Sequence, residues 1–148
     1  MFTFSFERSF RILFVKFSGV LDSPDIDALY GAADRFFTAE GSVDALVDFT
    51  AVTSVSLPIG SVIERGKQRP PNDGHRRVIV APQLELYGLA RVYGAYQELR
   101  GWTRPHIVKT RAEAFALLGL ANPRFEPVTI APEQALPPRR PSVQPSPV

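Results

Sequence analysis

Two short apolar runs constrain this chain most: "DALVDF" (residues 44–49) and "RRVIVAP" (76–82). Each is too brief for a free-standing helix and too hydrophobic for a loop, which leaves a strand buried within a sheet. The apolar spacing then changes on either side. Ile26, Leu29, Tyr30, Ala33, Phe36 and Phe37 form one stripe at three- and four-residue intervals. Leu89, Val92, Tyr93, Tyr96 and Leu99 form another, which should stop at Gly101. Buried strands alternating with one-faced helices predict an α/β domain whose sheet is largely parallel.

The remaining segments fit that frame. Phe2, Phe4 and Phe6 alternate with polar residues, and "RILFVKF" follows a short turn around Glu7 to Ser9, so the chain should open with an antiparallel hairpin at the edge of the sheet. Asp22, Ser23, Pro24 and Asp25 supply a cap, a first-turn proline and acidic charge where a helix has free amides and the positive end of its dipole. Ile59, Val62 and Ile63 suggest a short helix broken near Gly66 and ended by Pro70-Pro71. "PHIVKT" reads as a last strand, and Thr110 with Glu113 makes capping-box spacing before "AFALLGL". The predicted order is strand, strand, helix, strand, helix, strand, helix, strand, helix.

With 148 residues, 45% of them hydrophobic and 22% charged, the chain is sized for one globular domain, expected over residues 1–120. Residues 121–148 hold eight of the 14 prolines and no apolar period, and are read as a disordered tail. A formal charge of +2 gives no global drive toward nucleic acid. Cysteine is absent, which excludes disulfides and thiolate metal sites. Glu7, Arg8, Arg11 and Lys16 interrupt the Phe-rich start, so neither a secretory signal nor a membrane span is expected, and the chain is read as cytoplasmic. His75 and His106 have no metal-ligand spacing, and no G-x-S-x-G elbow or phosphate-cradling glycine loop occurs. No metal, no cofactor and no catalytic group is therefore assigned.

The stretch "VIVAPQLELYGLARVYGAYQELRG", with "VDALVDF" and "TRAEAFALLGL" in order around it, resembles the STAS superfamily, in particular its SpoIIAA-like, STAS/SEC14-like branch. The resemblance covers about residues 2–120. It implies a curved sheet backed by helices, a non-enzymatic regulatory role in bacteria and, through the SEC14-like comparison, an apolar ligand. In anti-sigma-factor antagonists of that superfamily, the loop after the central strand carries a phosphorylated serine in an Asp-Ser-Ser-Gly-like motif. Laid on this chain from Asp48 without a gap, that motif falls on Ser56, Leu57, Pro58 and Ile59, so the usual acceptor is lost.

The functional expectation follows from that corner. A non-catalytic regulatory or protein-interaction module is expected, contacting an unidentified protein through Thr53, Ser54, Ser56, Pro58, Ser61 and Val62, which are read as loop and helix-start residues. The alternative is a carrier or sensor of a small apolar or anionic ligand, with Tyr87, Arg91 and Tyr93 at the mouth of its pocket. Bulky Phe36, Phe37 and Phe115 argue against room for such a ligand. Arg91 is expected to pair with Asp48 or Glu85. The basic stretch "ERGKQRPPNDGHRR" reads as a solvated loop, and the Phe-rich first strand as an edge available for homodimer pairing.

Overall fold

The structure is a computed structural model and describes residues 1–129. Strand β1 (Phe2–Glu7) and strand β2 (Ile12–Asp22) form the expected hairpin, in register from Phe2 opposite Phe17 to Glu7 opposite Ile12. Asp22 ends β2 and caps helix α1 (Ser23–Glu40), its carboxylate accepting the Asp25 amide at 3.0 Å. Strand β3 (Asp44–Ser56), helix α2 (Ile59–Gly66), strand β4 (Arg77–Val80) and helix α3 (Leu84–Leu99) follow. Strand β5 (His106–Val108), helix α4 (Arg111–Leu118) and strand β6 (Glu126–Val128) are the last of the described elements. The Thr110 hydroxyl accepts the Glu113 amide at 3.1 Å, and α4 ends on left-handed Gly119, so both ends of that helix are capped.

The six strands lie in the order β5-β4-β3-β2-β1-β6. The pairs β2–β3, β3–β4 and β4–β5 are parallel, whereas β1 is antiparallel to both β2 and β6. This is the α/β class with a mixed, mostly parallel sheet that the alternating pattern predicts. Side chains alternate between two cores. Leu13, Val15, Phe17, Phe49 and Ile79 face α1 and α3, while Ile12, Phe14, Leu46, Val78 and Val80 face α4. Helix α2 rests on α3 through Gly66, where an added Cβ would lie 2.7 Å from the Tyr96 Cβ.

Four expectations are corrected. Thr53 to Ser56 belong to β3 and not to a corner, because β2 is long enough to run beside them, pairing Val20 with Ser54, Leu21 with Val55 and Asp22 with Ser56 while Thr53 is skipped at a shift in register. Pairing across two shifts in register, at Lys16/Ser18 and Gly19/Val20, outweighs the turn preference of the hydroxyls. The connection is only Leu57 and Pro58. The domain also runs past residue 120: Phe125 packs edge-on against Phe14 at 4.8 Å, and β6 pairs with β1. Residues 130–148, the rest of the expected tail, lie outside the described residues.

The hairpin is consequently not the edge of the sheet, since β6 covers β1 from Phe4 to Phe6. Pro127 fits there because a proline costs no ladder bond on an outer strand. Leu99, placed in a buried stripe by its spacing, is 78% exposed in the last turn of α3. No helix among the described residues is long and apolar enough to cross a membrane.

Candidate functional site

The short β3–α2 connection drops α2 beside the sheet, and Gly66 lets it approach α3 closely. Helix α1 reaches the same face from the end of β2. Between these helices and the sheet lies a cavity of about 390 Å³. Leu21, Val47, Phe49 and Ile79 form its floor, Leu29 and Ile26 one wall, and Leu86, Leu89 and Ala90 the other, with Val62 and Leu57 overhead.

Protein interiors hold few voids bigger than a water molecule. A sealed apolar void costs roughly 24 cal/mol per Å³, so this volume would cost on the order of 9 kcal/mol, comparable with the whole net stability of a domain. A cavity open to entry avoids that penalty.

The opening follows the seam between α1 and α2. Solvent-facing lining residues gather there: the Asp27 side chain is 69% exposed, Glu64 and Gln68 are exposed, and Ser23, Tyr30 and Ser61 are half-buried. Polar links cross the seam. The Ser23 hydroxyl donates to the Ser61 hydroxyl at 3.4 Å, and the Arg65 guanidinium donates to Asp27 Oδ1 at 2.6 Å and to Gln68 Oε1 at 3.0 Å. Arg65 also lies 4.2 Å above the Tyr30 ring, so its side chain is only 20% exposed.

One internal polar cluster borders the cavity. The Tyr30 and Tyr93 hydroxyl oxygens are 2.7 Å apart, and Arg77 Nη1 donates to the Tyr93 oxygen at 2.8 Å. The second Arg77 terminal nitrogen donates to the Thr103 carbonyl. Burial pushes the Tyr30 phenol well above its ordinary pKa, and the Tyr93 hydroxyl adds to the rise against the opposing charges of Arg77 and Arg65. Tyr30 therefore stays protonated, and a hydrogen-bond donor, at neutral pH.

The expected site residues divide. Ser61, Val62 and Tyr93 line the cavity. Thr53, Ser54 and Ser56 are exposed on β3, and Pro58 is exposed at the start of α2. Tyr87 is not in the cavity wall; Lys109 Nζ lies 5.3 Å from its ring. Arg91 is exposed on α3 and also stands outside the wall.

Arg91 cannot meet Asp48, which points to the opposite face of the sheet with Leu46 and is held there by Arg111 at 2.5 Å. Burial pushes the Asp48 carboxyl up, but the Thr50 hydroxyl and amide together with Arg111 outweigh it and hold the group below the usual carboxylate range. With Thr50 at 2.5 and 2.8 Å on one oxygen and Arg111 at 2.5 and 3.0 Å on the other, this carboxylate joins β3 to α4 rather than offering itself to a ligand.

Phe36, Phe37 and Phe115 do not fill the cavity. Phe36 packs on Phe6 and Phe37, and Phe115 lies on the α4 face near Phe125. The stretch read as a basic loop largely pairs its charges, Arg65 with Asp27, Lys67 with Glu64, Arg69 with Asp73 and Arg76 with Asp44. His75 is exposed and His106 opens β5, and no group of three metal-ligating side chains occurs among the described residues.

Sequence reasoning missed Tyr30, Arg65, Asp27 and Ser23 as cavity residues. In the sequence Tyr30 falls within a helical stripe and Arg65 within the basic stretch. The available signal was the interruption of two apolar faces by Tyr30 and Arg65, although only the fold brings these groups together. Neither a scan against protein-family models nor a search of curated proteins finds a match to this chain.

Proposed function

We propose that this domain binds a small apolar molecule in the cavity between α1, α2, α3 and the sheet, without transforming it. The observation that carries this reading is the space itself, about 390 Å³ lined mostly by apolar side chains and bordered by a few polar groups. That volume falls within the roughly 300–1,000 Å³ typical of small-molecule sites. Transfer of an apolar ligand from water into such a site is favourable because it removes apolar surface from water.

The reading selects the ligand-binding alternative and narrows it from "apolar or anionic" to apolar. Regulation of a protein partner, which the STAS resemblance implies, is the second reading. It is favoured by Ile59, 57% exposed at the start of the helix that roofs the cavity. On that reading α2 would present the occupied or empty state to a partner.

The test is titration with N-phenyl-1-naphthylamine, a neutral dye that brightens in apolar surroundings. Saturable one-to-one brightening is expected, and Ala90→Phe, which places a ring where Ala90 lines the wall, should abolish it while far-ultraviolet circular dichroism stays unchanged. Brightening that does not saturate, or that survives Ala90→Phe in a folded protein, sinks the reading.

A further inference from the structure

The hydrogen bonds around the cavity restrict which apolar molecules fit it. Tyr30 and Tyr93 both line the wall, and together their hydroxyls carry two protons. One proton lies between the two oxygens, at 2.7 Å. Arg77 Nη1, 2.8 Å from the Tyr93 oxygen, can only donate. Whichever phenol donates to the other, one phenolic proton has no acceptor among the described residues. The cluster therefore has a donor to offer and asks for an acceptor.

Charge points the same way. Arg65 is the only cation among the lining residues, and Asp27 at 2.6 Å balances its charge; Arg77 stands behind the Tyr93 oxygen and does not line the cavity. Glu64 at the rim faces Lys67 at 3.4 Å. An ionised head group entering along the seam would pass beside the exposed Asp27 and Glu64 carboxylates, whereas a neutral oxygen disturbs neither ion pair.

Resting on the cavity-binding reading, we infer that the ligand is a neutral apolar molecule with a carbonyl oxygen, a ketone, aldehyde or ester, received by the spare proton of the Tyr30–Tyr93 pair. Either phenol alone can supply that proton, since removing one hydroxyl frees the other. Only the loss of both silences the cluster.

The experiment displaces N-phenyl-1-naphthylamine with octane, 2-octanone and octanoate at pH 8. In the wild type, 2-octanone should bind more tightly than octanoate. Tyr30→Phe and Tyr93→Phe should each keep 2-octanone affinity within about threefold. The double variant should lose about tenfold for 2-octanone, the scale of one unmade hydrogen bond, with octane within about twofold of wild type. Octane thus reports that the cavity is intact.

A further measurement needs no variant: the infrared carbonyl band of 2-octanone bound to the wild type should shift to lower wavenumber than in hexane. An unshifted band, an unchanged 2-octanone affinity in a double variant that still binds octane, or octanoate as the tightest of the three overturns the inference while leaving the cavity reading in place. If neither the dye nor octane binds, the cavity reading fails first and takes this one with it.

Discussion

Asp48 and the tyrosine pair show two ways of burying polar atoms. The Asp48 carboxylate has both oxygens engaged, so it acts as a fixed joint, and its removal should be felt in stability rather than in binding. Asp48→Asn is expected to lower unfolding free energy by about 1–3 kcal/mol in urea titrations, toward the lower end because Arg111, 43% exposed, can turn to water. Dye binding should persist. The pH dependence follows from the sign of the shift. Folded Asp48 titrates below its ordinary 3.8, so the unfolded chain binds the proton more readily, and the contribution is present above that value and lost as pH falls through the folded one. Glu7 is also lowered, chiefly by the Arg124 amide, and acts in the same direction below its ordinary 4.5. Urea midpoints measured from pH 6 to pH 2.5 should therefore fall in the acid range, and fall less steeply in Asp48→Asn.

At the scale of elements, α2 is the piece whose position decides whether a cavity exists, and Gly66 sets that position. Gly66→Ala brings a methyl against the Tyr96 Cβ at 2.7 Å and the Tyr93 carbonyl at 3.1 Å, so it should cost about 1–3 kcal/mol and weaken dye binding. Gly88→Ala on the open side of α3 meets nothing within 4 Å and should instead add about 0.5–1 kcal/mol, a contrast that denaturant midpoints resolve. The elements most legible in the sequence were those specified locally. The Asp22 cap, the Thr110 cap and the runs in β3 and β4 depend on neighbours a few residues away, and the structure has them as expected. Thr53 to Ser56 were illegible because their strand character comes from β2, far back in the chain. Strand β6 was illegible because three residues centred on a proline carry no period. The cavity was hidden for the same reason on a larger scale: Asp27 and Arg65 stand 38 residues apart and Tyr30 and Tyr93 stand 63 apart, a relation that periodicity within a helix does not encode.

For the whole molecule, the last described strand is also the outer cover of the first. Glu7 is nearly inaccessible, and its carboxylate accepts the amides of Ser9 and Arg124, tying the opening turn to the segment that leads into β6. A chain ending at residue 120 should be less stable than one ending at residue 129 by about 2–4 kcal/mol, from the loss of Phe125 packing and the β6 ladder. It should also self-associate in sedimentation velocity, because β1 then presents unpaired backbone groups. Equal stability of the two chains would show that β6 is ornamental. The arrangement bears on synthesis as well. A ribosome delivers β1 ahead of the other described elements and β6 after them, so the growing polypeptide carries a bare Phe-rich margin until residues 126–128 emerge. During translation, that margin is where a chaperone would have most to shield.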